Sequence, residues 1–219
     1  MVALENPRRY RSDLRVEQAA STRERIVDAA ISSFAELGYA KTTMAQIARR
    51  ARVSVETVHK NGPKAALLDA AVLVASVGLE THDDILQSAY AEQLVSPTDP
   101  RESLRNSVRL VLDFNAGSVG VWRAYSAAAD TDPAINARWR ILNLSIRDNL
   151  ARVLDHWAAR GWLRSDSSRD DLLATLWTIT SVEGYDRLTA QLGWSDDHYL
   201  EWLETTGERL LFAPIDASG

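Results

Sequence analysis

TMAQIARRARVSVETVHKNGPK, residues 43–64, decides the fold of this chain. Thr43 is placed to cap a short helix, and Gln46 three positions later completes a capping-box pattern, each side chain reaching a free backbone N–H. Ile47 and Ala48 give that helix a small apolar inner face. Val53-Ser54 interrupts the pattern, and Ser54 can cap a second helix made of Val55, Glu56, Thr57, Val58, His59 and Lys60. Val58 is its inward residue. Ser54, Glu56, Thr57, His59 and Lys60 are left outside, short or polar, in a basic neighbourhood. Two crossed helices with a polar exposed second member fit a reader of the DNA major groove. A solvated pair of surface helices would show the same pattern, so the flanks must decide.

The flanks are unequal in charge. The net charge of −5 over 219 residues argues against a nucleic-acid partner. Its distribution argues the other way: residues 1–64 hold 12 Lys+Arg against 7 Asp+Glu, and the remainder holds 13 against 23. A basic head on an acidic body is the expected arrangement, with the head facing phosphate. All three lysines, Lys41, Lys60 and Lys64, fall in or beside the opening stretch, and residues 65–100 contain no lysine or arginine. The boundary therefore falls near Lys64, dividing a helix-turn-helix domain over 21–66 from a regulatory domain over 67–219.

Apolar residues make up 46% of the chain, enough for a packed core, and there is no cysteine for a disulfide or a thiolate metal site. No apolar run approaches the ~20 residues of a membrane span. The first 15 residues are basic without an apolar segment behind them, unlike a secretory leader. A soluble, cytoplasmic protein without a membrane partner is expected.

Residues 1–20 read as a basic, flexible arm in which Arg8, Arg9, Arg11 and Arg15 either follow phosphates or form a charged tail. From Ser21 or Thr22, possible caps, Ile26, Ala29, Ala30, Phe34 and Leu37 recur at helical spacing until Gly38 ends the helix. A bridging helix is expected over 63–79. Beyond it, helical stripes recur over 82–94, 100–116, 119–129, 133–160, 170–192 and 196–211, with breaks at Gly117, Gly161 and Gly193 among others. No stretch alternates with period two, so the fold class is all-α: a three-helix helix-turn-helix head plus a C-terminal helical bundle.

Several residues now carry a likeness: Thr22-Arg23, Ile26, Ala29-Ala30, Phe34 and Gly38-Tyr39, then Thr42-Thr43 and Ile47-Ala48, then Val53-Ser54 and Thr57-Val58, then Lys64 and Leu67-Leu68. Their spacing over 22–68 resembles the TetR family of one-component transcriptional regulators. The run from Gly193-Trp194 to Trp202-Leu203 resembles the final helix of many members. The resemblance implies a homodimer bound to a palindromic double-stranded DNA operator, a body with an internal cavity for a small-molecule effector, and release from DNA on effector binding; most members repress. No cofactor is implied. Carried over residue by residue, Thr43 and Lys64 would bind phosphate, and Thr57 and Lys60 phosphate or base edges. Ser54, Val55 and Glu56 lie where bases are read, Val55 against a thymine methyl and Glu56 against a cytosine amine.

Three departures stand out. His59 replaces the usual phosphate-binding tyrosine. The turn from His59 to Lys64 is one residue short. Arg52 occupies a position that is commonly glycine, where a left-handed backbone costs ~1 kcal/mol. These departures leave one alternative function open, a helical small-molecule-binding or scaffolding protein with weakened DNA binding.

In the body, Trp122, Tyr125 and Trp139 read as cavity wall or ordinary core, with Asn115, Arg123 and Asn143 as candidate polar anchors. Trp177 and Trp202, on the last two long helices, are expected at the dimer interface. His82-Asp83-Asp84 lacks a second histidine at helical spacing and is read as a solvated helix start, so no metal site is expected. No phosphate-cradling glycine loop, HExxH or GxSxG is present, and an enzyme is not expected.

Overall fold

The computed structural model describes residues 7–77, 85–87 and 90–214, with side chains from residue 16. Its helices are α1 (Pro7–Lys41), α2 (Met44–Ala51), α3 (Val55–Lys60), α4 (Lys64–Val77), α5 (Ala91–Val95), α6 (Pro100–Ala129), α7 (Pro133–Ala158), α8 (Arg169–Ile179), α9 (Val182–Asp186) and α10 (Asp196–Leu211). A 3₁₀ turn covers Ile85–Gln87 and a π-helical turn Arg187–Gln191. The described residues contain no strand, only one isolated antiparallel bridge between Leu163 and Phe212.

Short polar residues start most of these helices. Ser54, Asp99, Asp132, Ser168, Ser181 and Ser195 each accept a backbone N–H from the first turn of the helix that follows. Pro100 and Pro133 sit directly behind two of these aspartates, where a missing N–H costs nothing.

The first helix begins earlier than its sequence signals. The Thr22 hydroxyl bonds back to the Gln18 carbonyl at 2.8 Å instead of capping, so the helix runs through Ser21 from Pro7. Residues 7–20, expected as a flexible arm, are thus its first turns; residues 1–6 and the side chains of Arg8, Arg9, Arg11 and Arg15 lie outside the described set. At the other end Gly38, with φ +74°, breaks α1 where expected.

Two further boundaries differ. Gly117 does not end a helix: α6 is continuous from Pro100 to Ala129. A Cβ on Gly117 would lie 2.5 Å from the Ala75 carbonyl oxygen, and one on Gly120 2.8 Å from the Ala35 Cβ. The glycines are there so that α4 and α1 can lie directly on α6. Conversely, the helix expected over 170–192 breaks at Thr180-Ser181. The Thr180 hydroxyl bonds the Leu176 carbonyl at 2.7 Å, ending α8, and Ser181 caps α9. Of the helix expected over 82–94, the described part is the 3₁₀ turn and α5; His82-Asp83-Asp84 falls outside the described residues.

Two apolar clusters organise the chain around α6. One joins head and body: Ile26, Phe34, Ile47, Val58 and Leu68 pack in one cluster with Val121, Trp122 and Tyr125 of α6 and Ile135 and Leu142 of α7. The other fills the far end of the body with Leu104, Leu154, Trp157, Tyr199, Leu203 and Leu211. Asp69 of α4 ties the two layers together, accepting the Tyr125 hydroxyl and pairing with Arg138 of α7. Burial and the Asp69 carboxylate hold the Tyr125 hydroxyl well above its ordinary pKa, hence firmly protonated.

Candidate nucleic-acid interface and internal cavity

The head is built from the capping chemistry of its two short helices. Thr43 accepts the Gln46 N–H at 3.2 Å while Gln46 accepts the Thr43 N–H at 2.7 Å, closing the capping box. Thr43 itself stays exposed. Arg52 takes φ 57°, ψ 45°, the left-handed conformation anticipated for this position. Its N–H then caps the α2 carbonyls of Ala48 and Arg49.

Ser54 caps α3, accepting the Thr57 N–H at 3.0 Å, and its hydroxyl also bonds the Thr57 hydroxyl at 2.8 Å. Val58 is fully buried and anchors the helix, leaving Ser54, Val55, Glu56, His59 and Lys60 exposed and Thr57 half-buried. Lys60 pairs with Glu56 one turn back at 2.8 Å; both are open to water, so the pair is weak and free to rearrange. This face is brought together as expected: two hydroxyls, an imidazole, a lysine and a carboxylate on one short, cored helix.

The short turn closes without disorder. Asn61 ends α3 with φ −85°, ψ 0°, and Gly62 at φ +122° swings the chain into Pro63. Arg23 of α1 donates to the Asn61 carbonyl at 2.7 Å, holding the end of α3 from behind. Arg23 belongs to the motif read from sequence, yet nothing in its spacing shows it reaching 38 residues along the chain.

Lys64 sits at the junction of α1 and α4. Its ammonium donates to the Tyr39 and Thr42 carbonyls at 2.9 and 3.0 Å and sits 4.1 Å from the centre of the Tyr39 ring. The residue expected on phosphate is therefore engaged in closing the end of α1, and partial burial lowers its pKa. Arg50, by contrast, lies on the α2 surface, paired with Glu36 of α1 at 2.6 Å, which lowers the Glu36 pKa.

Below the head, α4 to α10 line a cavity of about 210 Å³. Its walls are chiefly aliphatic and aromatic, with Phe114, Trp122, Trp157 and Trp177 prominent. Asn115 and Asn143 both line it. Asn115 is buried, its amide donating to the Thr180 carbonyl at 3.1 Å and the Tyr199 hydroxyl at 3.2 Å. Burial pushes the Tyr199 hydroxyl up to about 12 against the opposing Asn115 bond. Asn143 donates to the Trp139 carbonyl at 2.8 Å, leaving its amide oxygen for other partners.

Trp122 lines the cavity, and its indole N–H donates to Glu183 at 2.8 Å. Trp139 does not line it. Its ring packs behind, 4.3 Å from that of Trp122 and 5.1 Å from that of Tyr125. Arg123, offered as an anchor, also points elsewhere: one residue past an inward tryptophan, it faces out of α6 and grips Asp186. Trp177 forms part of the cavity wall while remaining 36% exposed. Trp202 is half-buried against Tyr199 and Trp194. Glu183 also lines the cavity, and no sequence signal marks it, because the Thr180-Ser181 break that starts α9 reads as continuous helix.

No helix among the described residues is long and apolar enough to cross a membrane, and none of their His, Asp or Glu residues cluster to hold a metal ion.

Residues 26–71 match the family model described as bacterial regulatory proteins, tetR family. No curated protein matches the chain. Among solved structures, one from Saccharomonospora viridis in complex with choline is 22% identical with a TM-score of 0.68, covering 89% of this chain and 99% of its own. NalD of Pseudomonas aeruginosa, the secondary repressor of the MexAB-OprM multidrug efflux pump, is 19% identical with a TM-score of 0.66, covering 90% and 100%. A TetR transcriptional regulator from Chloroflexus aurantiacus is 20% identical with a TM-score of 0.65, again covering 90% and 100%. The likeness extends over head and body together, and at these identities it is a likeness of fold.

Proposed function

We propose that this chain, with its tetR-family N-terminal match and TetR-like helical body, is a ligand-responsive repressor that binds a palindromic operator as a homodimer. The observation that carries the reading is the exposed face of α3. A helix of six residues, capped by Ser54 and anchored by buried Val58, presents nothing but groups able to meet DNA. Thr43 at the exposed start of α2 supplies a hydroxyl for phosphate, Thr57 and Lys60 a hydroxyl and an ammonium. Ser54, Val55 and Glu56 lie at the end of α3 that enters a groove first. His59, where relatives have tyrosine, offers a ring N–H to phosphate in place of a phenol.

The dimer joins α8 and α10 of two copies through Trp177 and Trp202, and Leu192, after α9, and Leu210, on α10, are also open to water. Water-facing leucines and a tryptophan on these adjoining elements are what a second copy would cover. The effector enters the cavity under α4, between Asn115, Asn143 and Trp122. Its arrival is transmitted because α6, which walls the cavity, also carries α1 and α4 on Gly120 and Gly117. That a similar structure holds choline, and another is a repressor, supports both halves of the reading.

The test is fluorescence anisotropy with duplexes from the chain's own upstream region, in 150 mM salt with a scrambled duplex as reference. A symmetric site preferred by at least ~10³-fold is expected. Equal affinity for both duplexes overturns the operator reading. Sedimentation of the free protein as a monomer at micromolar concentration overturns the dimer.

A further inference from the structure

The charge distribution around the cavity narrows what it can hold. Its described lining includes one carboxylate, Glu183, and no lysine, arginine or histidine. The segment 65–100, which supplies Val72, Leu73, Ser76 and Tyr90 of the wall, carries no lysine or arginine anywhere in its sequence and six carboxylates. Arg123, the arginine adjacent in sequence to the cavity-lining Trp122, is taken up by Asp186 through both carboxylate oxygens at 3.0 Å. An anion entering this space would lose its water and find no counter-charge, a transfer that costs several kcal/mol unless repaid.

Glu183 is prepared for the opposite sign. The Trp122 indole N–H fixes one carboxylate oxygen at 2.8 Å and orients the group against the cavity wall. Among the described residues no group donates to the second oxygen, which keeps its capacity to accept. An ammonium placed there would meet a carboxylate in a cavity that Trp122 and Trp177 also line. Asn115, Asn143 and Thr180 add neutral dipoles further in. Size sets the other limit: about 210 Å³ exceeds the ~150 Å³ of an engineered apolar cavity that holds benzene. A ring system of one or two rings with a short polar arm fits.

We propose that the cavity selects a ring-sized apolar amine, its ammonium seated on Glu183 beside Trp122, and discriminates against carboxylates and phosphates of the same shape. The proposal rests on the reading of this cavity as the effector site and deepens it by assigning the chemical class.

The experiment compares three probes of one shape by isothermal titration calorimetry on the full-length protein: 2-(2-naphthyl)ethylamine, 2-(2-naphthyl)ethanol and 2-naphthylacetate. The amine is expected to bind about tenfold more tightly than the alcohol, with the acetate weakest. Glu183→Gln is expected to bring the amine within about twofold of the alcohol while leaving the alcohol unchanged. That exposed substitution preserves the acceptor for Trp122, so folding is not at stake. Acetate binding equal to or tighter than amine binding overturns the charge assignment and leaves the cavity reading standing. An amine advantage that survives Glu183→Gln overturns the seat on Glu183. Failure of all three probes to bind at millimolar concentration defeats the effector-site reading itself.

Discussion

At the scale of single residues, three positions in the head show how far side chains are already committed within the fold. Arg52 holds a left-handed backbone, φ 57°, that its Cβ disfavours by about 1 kcal/mol, and glycine would relieve that strain while returning part of the gain as unfolded-state freedom. Arg52→Gly is therefore expected to raise the urea midpoint, by up to about 1 kcal/mol of stability at unchanged m-value. The two lysines divide between structure and recognition. Lys60 is exposed and held only by Glu56, whereas Lys64 spends its ammonium on two carbonyls. Lys60→Ala is expected to lower the salt slope of operator binding by about one unit, the signature of one lost phosphate contact, with stability little changed. Lys64→Ala is expected to leave the slope unchanged and to cost about 1–2 kcal/mol of stability, because it frees the carbonyls of Tyr39 and Thr42. Equal slope changes in both variants would return Lys64 to the phosphate-binding group. Both lysines are plain in the sequence, but the direction of Lys64 is not, because the carbonyls that capture it are set by the turn after Gly38.

At the scale of helices, the elements legible in sequence were those that announce their own ends. Asp99-Pro100, Asp132-Pro133 and Ser195 mark the starts of α6, α7 and α10, and the structure begins each helix at the following residue. Illegible were the features that depend on a neighbour. Gly117 reads as a breaker, yet its missing side chain is required by Ala75 of α4, and Thr180-Ser181 reads as helix until Thr180 turns its hydroxyl back onto Leu176. Gly117→Ala tests the first point. In an isolated helix the change would gain up to about 1 kcal/mol of propensity. Here the new methyl meets a backbone oxygen at 2.5 Å, so α4 must move away from α6, and a net loss of about 1–3 kcal/mol is expected together with weaker operator binding. A variant more stable than the parent would sink the close-packing account. The end of α7 carries a pH-sensitive contact. The His156 Nδ1 accepts from the Arg160 guanidinium at 3.0 Å, and its Nε2 is buried with no partner among the described residues. Burial, with the Arg160 charge, depresses its pKa below the ordinary 6.5, so the neutral ring contributes stability above that pH and the contribution is lost as pH falls through the folded value. Melting temperature is expected to drop on acidification below about pH 6.5, with His156→Gln flattening that part of the profile.

At the scale of the molecule, the charge boundary near Lys64 and the packing boundary do not coincide. Composition divides a basic head from an acidic body, but the cluster that buries Ile26, Phe34, Ile47 and Val58 runs without interruption into Val121, Trp122 and Tyr125 of α6. One long and two short helices around so small a core bury too little to stand alone, and here they share that core with the element that walls the cavity. The same continuity would give the proposed effector purchase on the head, since anything that displaces α6 displaces what α1 and α4 rest on. Head and body are then expected to unfold as one unit. The distribution of tryptophan makes this measurable: all seven lie between Trp122 and Trp202, so intrinsic fluorescence reports the body alone, while hydrogen exchange of amides in α1 to α3 reports the head. In a denaturant titration the two probes are expected to give coincident midpoints and a common free energy for the slowest-exchanging amides. A head that exchanges through a separate opening several kcal/mol below the global value would show that the shared cluster does not couple the two parts, and with it the route from cavity to DNA would lose its physical basis.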